Sequence, residues 1–255
     1  MLLAIDIGNT NIVLGVFDGA TLAADYRLHT DAGDTGDELG LTITGLLHGS
    51  AIDPRSINRV VVSSVVPTLQ RSVNDMSRRF FGVAPLVVGP GVRTGMRILY
   101  EDPRLVGADR IVNALAAFRR YGGPTVIVDL GTATTFDALN AAGDYLGGAI
   151  APGMLISLDA LVSHAAKLSR IDPVAPQSVI GRTPTTSMQA GLVFGYVGLI
   201  EGVVRRMSAE LGEGTKVIAT GGLAELIAEQ TSIIDAVDQR LTLDGLYLIS
   251  ELNGD

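Results

Sequence analysis

The chain has 255 residues, of which 47% are hydrophobic, and its formal net charge is −8. This length fits one large domain or two of moderate size, and the apolar content excludes a disordered chain. The acidic balance argues against binding to nucleic-acid phosphates or to an anionic membrane, and the absence of cysteine excludes disulfides, thiolate catalysis and cysteine-bound zinc.

The N-terminus does not have the pattern of a signal peptide. It lacks a basic region, and Asp6 interrupts the apolar run early. The longest uncharged helical run, residues 188–200, is shorter than a bilayer span. We therefore expect a soluble, cytoplasmic protein that binds neither a membrane nor a nucleic acid.

The first half of the sequence predicts a mixed α/β layer in which strands come first and helices then alternate with strands. The predicted strands are residues 2–8, 12–19, 21–30, 58–67 and 84–91, and the predicted helices are residues 37–49 and 68–82. A further helix, residues 110–122, ends at glycine.

The second half then repeats this order. It predicts strands at residues 124–131, 134–143, 144–153 and 216–222, and helices at 154–167, 187–211, 223–231 and from about Leu243. A single repeat with a period of half the chain indicates a domain duplication rather than a solenoid. The sequence thus predicts two domains, residues 1–118 and 119–255, joined by a compact hinge near residues 118–124.

Each half carries the same acidic corner between its first two strands, "DIGNTN" at residues 6–11 and "DLGTATT" at residues 129–135. Glycine lets the backbone approach a ligand, and the N–H groups of the turn converge on an anion. An Asp beside a phosphate implies a cation between them. Two such corners facing a cleft would hold a polyphosphate, whereas a polar hairpin turn is the alternative interpretation of either corner alone.

Other nucleotide-binding motifs give less information. The chain has no P-loop, and no GxGxxG follows the first strand. The stretch "KVIATGGLAELI" ends a strand in two glycines and opens a helix, so it either carries the sugar and base of a nucleotide or is an ordinary strand–helix junction.

The candidate for the phosphate acceptor's site is "YEDPRLVGADR", residues 100–110. Asp109 lies where a helix begins, so the positive end of the helix is expected to keep it ionised at neutral pH. Phosphoryl transfer depends on positioning, so even a weak base can serve there. Arg110 offers a planar fork for a carboxylate or phosphate. The alternative is a helix-capping Asp beside a surface Arg.

Five segments in order resemble type III pantothenate kinase along essentially the whole chain. They are "DIGNTN", "YEDPRLVGADR", "DLGTATTFD", "GGAIAPG" and "ATGGLAELI". The resemblance implies two ribonuclease-H-like domains of the actin-like ATPase type, related by duplication with a cleft between them. It also implies ATP-dependent phosphorylation of pantothenate to 4'-phosphopantothenate, the first step of coenzyme A biosynthesis, by a cytoplasmic homodimer.

The resemblance also implies roles for individual residues. Asp109 would be the proton acceptor, Asp6 would lie near Mg²⁺, and Asp129 would hold a monovalent cation, K⁺ or NH₄⁺. The implied ATP-binding residues are Asp6, Ile7, Gly8, Asn9, Thr10, Asn11, Ile12, Val13 and Thr132. The implied pantothenate-binding residues are Tyr100, Gly107, Ala108, Asp109, Arg110 and the residue at position 184.

One position departs from the family pattern. The family has Gly-x-Asn-Thr where this chain has "GRTP", which puts Thr183 at the Asn position and Pro184 at the position of the substrate-binding Thr. Proline has neither a hydroxyl nor an N–H, so a hydrogen bond to pantothenate would be lost. Thr183 or Thr185 could replace it after a small shift of the loop.

Two alternatives to a pantothenate kinase follow from this departure. One is a nucleotide-binding homologue with weak or lost kinase activity, which acts as an accessory or regulatory protein through protein partners. The other is a kinase for a different small hydroxyl substrate. In both, the phosphate-binding corners keep their role.

Overall fold

The structure is a computed structural model and describes residues 1–254. Within these residues the chain forms ten strands and seven α-helices. The strands are β1 Leu2–Ile7, β2 Asn11–Asp18, β3 Thr21–His29, β4 Arg59–Ser64, β5 Leu86–Val87, β6 Thr125–Leu130, β7 Ala133–Leu139, β8 Tyr145–Pro152, β9 Lys216–Thr220 and β10 Ala236–Val237. The helices are α1 Gly36–Gly49, α2 Gln70–Met76, α3 Ala108–Tyr121, α4 Met154–His164, α5 Pro184–Leu211, α6 Ala224–Ala228 and α7 Leu241–Asn253.

The strands form two five-stranded sheets with the same strand order. The order is β3-β2-β1-β4-β5 in the first sheet and β8-β7-β6-β9-β10 in the second. In each sheet, the three strands that come first in sequence pair antiparallel with their neighbours. The remaining two strands lie on the other side of the first strand and pair parallel to it and to each other. The repeated topology confirms the predicted α/β class and the duplication.

The first sheet is covered by helices on both faces. Ile5 of β1 lies in a buried cluster with Ile43 of α1 and Val73 of α2. Side chains alternate between the faces of a strand, so the residues next to Ile5 point to the other face, where α7 packs on β1, β2 and β4. There Gly15 leaves room for α7, because a Cβ at this position would lie 3.0 Å from the methyl groups of Leu243.

The division of the chain into two compact units differs from the predicted boundary at residue 118 in two places. The first unit comprises residues 1–95, 102–116 and 241–254, and the second comprises residues 96–101 and 117–240. Helix α7 groups with the first unit because it buries Leu243 and Leu246 against the first sheet. The cleft between the domains stays a prediction.

In the second unit, the buried residues of α5 and α6 cover one face of the sheet, where Phe136 of β7 and Ile200 of α5 share a core cluster. Helix α5 has 28 residues, more than the sequence predicted, because Thr183 caps it and Pro184 occupies its first position. An 18-residue window of α5 has a mean hydropathy of 1.4, so by length and composition this helix could cross a membrane. One side of the helix packs on β6 and β7, and 28% of the window is buried in the structure.

Candidate active site

The first predicted phosphate-binding corner is the turn between β1 and β2. The amide of Gly8 donates to the backbone oxygen of Asn11 at 3.0 Å, which closes the turn and leaves Asn9 and Thr10 exposed at its tip. Ile7 and Ile12 are buried in the core cluster of the first unit, together with the other inward residues of β1. Only the backbone groups of these two residues are therefore available to a ligand.

Thr30, the residue after β3, supports this corner. Its amide donates to the backbone oxygen of Thr10 at 3.0 Å, and its hydroxyl donates to that of Gly8 at 2.7 Å. Sequence reasoning missed Thr30, because it lies at the end of a predicted strand and far from the motif. Its buried side chain fixes the shape of the turn from behind.

The second corner lies between β6 and β7 and is closed in a similar way by a turn that is one residue shorter. The amide of Gly131 donates to the backbone oxygen of Ala133 at 3.1 Å, and Thr132 is exposed. Gly153 follows β8 as Thr30 follows β3, and its amide donates to the backbone oxygen of Thr132 at 3.1 Å. A Cβ on Gly153 would lie 2.1 Å from that oxygen, so only glycine can approach the turn this closely.

Asp129 at the end of β6 is enclosed by the loop that follows β9. In the register it pairs with Thr220, and Gly221 comes next with a φ of +93°. A Cβ on Gly221 would lie 2.7 Å from both Oδ1 of Asp129 and the backbone oxygen of Leu130. Only glycine can bring its backbone this close to the Asp129 carboxylate and the Leu130 carbonyl oxygen, which are donor types that hard cations prefer.

Asp6 occupies the equivalent position in the first unit. It pairs with Ser63 as Asp129 pairs with Thr220, so each Asp has a hydroxyl residue beside it on the parallel strand. The Ser63 hydroxyl is fully buried and has no hydrogen-bond partner within the described residues. Among residues 1–254, no group of three or more His, Cys, Asp or Glu side chains has the geometry of a metal site. A single carboxylate still suits Mg²⁺, which keeps several waters and takes its other ligands from phosphates.

The loop before α3 places Asp109 in the first helical turn. Its Oδ1 accepts a hydrogen bond from the amide of Arg110 at 2.9 Å. Gly107 makes room for this carboxylate, because a Cβ there would lie 2.5 Å from Oδ1. Burial raises the pKa of Asp109 and outweighs the hydrogen bond and the Arg110 charge, which both lower it. Sequence position alone suggested a weakly basic carboxylate, whereas burial shifts the pKa of Asp109 upward, and a raised pKa makes a better proton acceptor.

Arg110 and Tyr100 differ in exposure. The Arg110 side chain is buried. Tyr100 belongs to the second unit, is 37% exposed, and has its ring against Gly147 of β8.

At position 184 the structure shows a regular helix start. Thr183 accepts a hydrogen bond from the amide of Thr186, and its own amide donates to the hydroxyl of Thr186 at 3.0 Å. Pro184 follows at the first helical position, where a missing N–H costs nothing. The Thr183 hydroxyl is thus engaged in the cap, and Thr185 is exposed one position beyond Pro184.

The predicted residues divide between the two units. The first unit holds residues 6–13 and 107–110, and the second holds Tyr100, Asp129, Thr132 and Pro184. Within each unit the structure brings together an acidic corner, a closed turn and a support from the segment after the third strand.

A family model described as type III pantothenate kinase matches residues 2–206. A type III pantothenate kinase from Anaeromyxobacter sp. (strain Fw109-5) is 54% identical over 253 residues, which is 99% of this chain and 100% of the relative. The chain belongs to the type III pantothenate kinase family. Its resemblance to that family, read from five motifs, is confirmed, and it is a kinase.

Two solved structures at low sequence identity share the fold of this family member. A conserved protein assigned to the Baf family of transcriptional activators, from Campylobacter jejuni, has a TM-score of 0.63 at 19% identity and covers 98% of each chain. A protein described as a 2-dehydro-3-deoxygalactonokinase, from Sinorhizobium meliloti, has a TM-score of 0.60 at 12% identity and covers 100% of this chain and 97% of its own. These likenesses confirm the actin-like, sugar-kinase type of fold.

Proposed function

We propose that this chain transfers the γ-phosphoryl group of ATP to the primary hydroxyl of pantothenate, which yields 4'-phosphopantothenate in the first step of coenzyme A biosynthesis. The observation that carries the proposal is the match of the family model to residues 2–206, together with near-complete coverage of a pantothenate kinase at 54% identity. The carboxylate expected to take the proton, Asp109, is present and half-buried at the start of a helix.

Asp109 is the proton acceptor in this proposal. As the pantothenate oxygen forms its bond to the γ-phosphorus, the bond from that phosphorus to the ADP oxygen breaks, and the hydroxyl proton passes to Asp109. Its raised pKa brings its basicity closer to the working pH, which favours proton transfer in the transition state. The carboxylate of Asp109 fits beside Gly107 because this residue has no side chain.

The two corners bind ATP, each through the amides and hydroxyls of its exposed tip. In the first corner these are the groups of residues 6–13, with Asn9 and Thr10 outermost. In the second corner the hydroxyl of Thr132 is the exposed group. The supports from Thr30 and Gly153 hold both turns in shape before ATP arrives, so little ordering remains to be done on binding.

Asp6 would hold Mg²⁺ and Asp129 a monovalent cation, K⁺ or NH₄⁺. The Asp129 carboxylate and the Leu130 carbonyl oxygen lie together beside Gly221, and such oxygens suit a monovalent cation. When bound, the two cations neutralise charge on the phosphates and on the acidic corners. The protein's part is to place one carboxylate near the end of β1 and the other near the end of β6, each beside its turn.

Pantothenate would contact Tyr100 and residues 107–110, with the guanidinium of Arg110 toward its carboxylate. Pro184 cannot supply the hydroxyl that the family pattern has at this position. Because the Thr183 hydroxyl is engaged in the helix cap, we assign the replacement to Thr185, which is exposed in the first turn of α5.

The active form would be a homodimer assembled through the second unit. Edge strand β8 exposes Leu146 and Ile150, the latter to 67%, and the neighbouring helix α4 exposes Leu155 and Leu161. Most of the apolar window of α5 also lies outside the core of the unit. A second copy of the chain would bury this face, and Ile150→Arg should convert a dimer to a monomer in light scattering. We place the protein in the cytoplasm, free of membrane and nucleic acid.

The test of function is a coupled assay of ADP release with pantothenate and with a panel of hydroxy acids and sugars. Turnover with pantothenate at micromolar to millimolar concentrations supports the proposal. Turnover only with another acceptor would show a kinase of different specificity. ATP binding without turnover on any acceptor would show an accessory protein, the alternative that Pro184 favours.

A further inference from the structure

Residues 96–101 stand out because they group with the second unit, while the chain on either side groups with the first. Tyr100, the proposed pantothenate contact, lies near the end of this short segment. Three kinds of contact hold this segment on the second unit.

The first set is a backbone pairing with edge strand β8. The amide of Tyr145 donates to the backbone oxygen of Arg97 at 2.9 Å, and the amide of Leu99 donates to that of Tyr145 at 2.8 Å. Tyr145 itself is fixed, because its fully buried side chain donates to Oδ1 of Asp137 at 2.7 Å. Residues 97–99 thus extend the sheet from a rigid strand.

The second contact is a bidentate ion pair. Nε of Arg97 donates to Oδ1 of Asp144 at 2.8 Å, and Nη2 donates to Oδ2 at 2.6 Å. The amide group of Asn140 also donates to Oδ2 at 2.9 Å. Arg97 first and Asn140 second lower the pKa of Asp144 to about 2, so the carboxylate is ionised throughout the neutral range. A fork of this kind fixes the direction of the arginine as well as its distance.

The third contact places the Tyr100 ring. Gly147 has a φ of +125°, a conformation that favours glycine. A Cβ on Gly147 would lie 3.3 Å from Cδ2 and Cε2 of Tyr100, closer than an ordinary contact. The ring therefore lies directly against the strand backbone and keeps its other side exposed.

We propose that Arg97 is a positioning residue for pantothenate binding: its fork on Asp144 fixes residues 97–99, and this holds the ring of Tyr100 against Gly147 in the orientation that receives the substrate. The inference rests on the proposed function, which assigns Tyr100 to the pantothenate site. A ring that is already in place loses less conformational freedom on binding than one on a loose segment, so affinity for pantothenate rises.

The alternative is that the ion pair only stabilises the surface, where exposed pairs contribute little. Kinetics of Arg97→Ala separate the two. We expect the KM for pantothenate to rise about threefold to tenfold, as for the loss of one oriented contact, while the KM for ATP and the fold by circular dichroism stay unchanged. Arg97→Lys should restore only part of the affinity, because lysine cannot form the fork.

Arg205→Ala is the matched control. Arg205 is 68% exposed, against 74% for Arg97, and each pairs with its carboxylate at 2.6 Å. The partner of Arg205 is Glu201 on the same helix, away from the segment of Tyr100. This variant should leave both KM values at the wild-type level.

A double-mutant comparison shows whether Arg97 acts through Tyr100. On a Tyr100→Ala background, adding Arg97→Ala should raise the KM for pantothenate no further, because the ring it positions is gone. An unchanged KM in the Arg97→Ala variant of an active enzyme would overturn this inference alone, as would a loss that persists on the Tyr100→Ala background. A wild-type protein that fails to phosphorylate pantothenate would overturn the proposed function, and the inference with it.

Discussion

Thr30 donates a 2.7 Å hydrogen bond from its hydroxyl to the backbone oxygen of Gly8. This bond links the end of the third strand to the glycine of the first phosphate-binding turn, 22 residues earlier in the chain. The second unit has no side chain at the corresponding place, since Gly153 supports its turn through the amide alone. The two corners share a backbone design, but only the first depends on a side chain for its support.

Thr30→Val should weaken ATP binding with a modest loss of stability. The change removes a partly buried hydrogen bond to the Gly8 oxygen, which costs about 0.5–1.5 kcal/mol. We expect a higher KM for ATP, an unchanged KM for pantothenate, and a melting temperature lower by several degrees. Thr44→Val is the control, because the Thr44 hydroxyl donates to the Gly40 oxygen at the same 2.7 Å but within helix α1. Equal KM values for ATP in the two variants would contradict the role of Thr30.

Asp109→Asn should abolish most turnover and leave ATP affinity intact. General-base catalysis typically contributes about 10²–10⁴-fold, which sets the expected loss in kcat. A wild-type kcat in this variant would reduce Asp109 to a helix-capping residue. Isothermal titration with a non-hydrolysable ATP analogue measures the binding that should remain.

The same substitution should not lower stability at pH 7, and thermal unfolding measures this effect directly. Burial raises the pKa of Asp109 in the folded state. The protonated carboxyl therefore favours folding fully below the unfolded-state pKa of about 3.9, and this contribution to stability is lost as the pH rises through the folded-state pKa. At pH 7 the buried charge therefore opposes folding, and asparagine removes it. Asp102→Asn should act in the opposite direction, because hydrogen bonds from Arg104 lower the pKa of Asp102.

Gly221→Ala should impair the response to potassium. The added methyl would lie 2.7 Å from both Oδ1 of Asp129 and the backbone oxygen of Leu130, so these oxygens would have to shift. We expect half-maximal activation to require more potassium, and the gain from replacing sodium by potassium to shrink. Gly214→Ala is the control for backbone strain, since Gly214 also has a positive φ, +78°, but no atom within 4 Å of a Cβ. Gly214→Ala should lose roughly 1–2 kcal/mol from backbone strain, Gly221→Ala should lose more because of the clash, and only Gly221→Ala should change the cation response.

Pro184→Thr should improve pantothenate binding. It restores the hydroxyl of the family pattern, and the Thr183–Thr186 cap holds the helix start in either case. The restored hydroxyl would bind pantothenate in addition to that of Thr185, and one additional hydrogen bond corresponds to a KM lower by up to about tenfold. Pro184→Ala, which removes the ring without adding a hydroxyl, should leave the KM unchanged. An equal gain in both variants would show that ring removal, rather than the hydroxyl, is responsible.

The strands and the acidic corners were predictable because their signals are local. Unbroken apolar runs such as that of β4 mark buried strands, and the repeated Asp and Gly mark the turns between them. The support from Thr30 and the close approach of Gly221 to Asp129 were not predictable, because both residues reach their partners only through strand pairing across the sheet. The direction of the Asp109 pKa was missed for the same reason, since burial depends on packing that the helix position does not reveal.

The placement of α7 has a consequence for how the protein is made. Helix α7 follows the whole second unit in the chain, yet it packs on the sheet that began with the first strand, and Phe17 and Tyr247 stack with ring centroids 5.1 Å apart. During synthesis, one face of the N-terminal sheet therefore stays uncovered until α7 has left the ribosome, exposed to chaperones and to aggregation. A truncation that removes α7 would destabilise the first unit rather than the second.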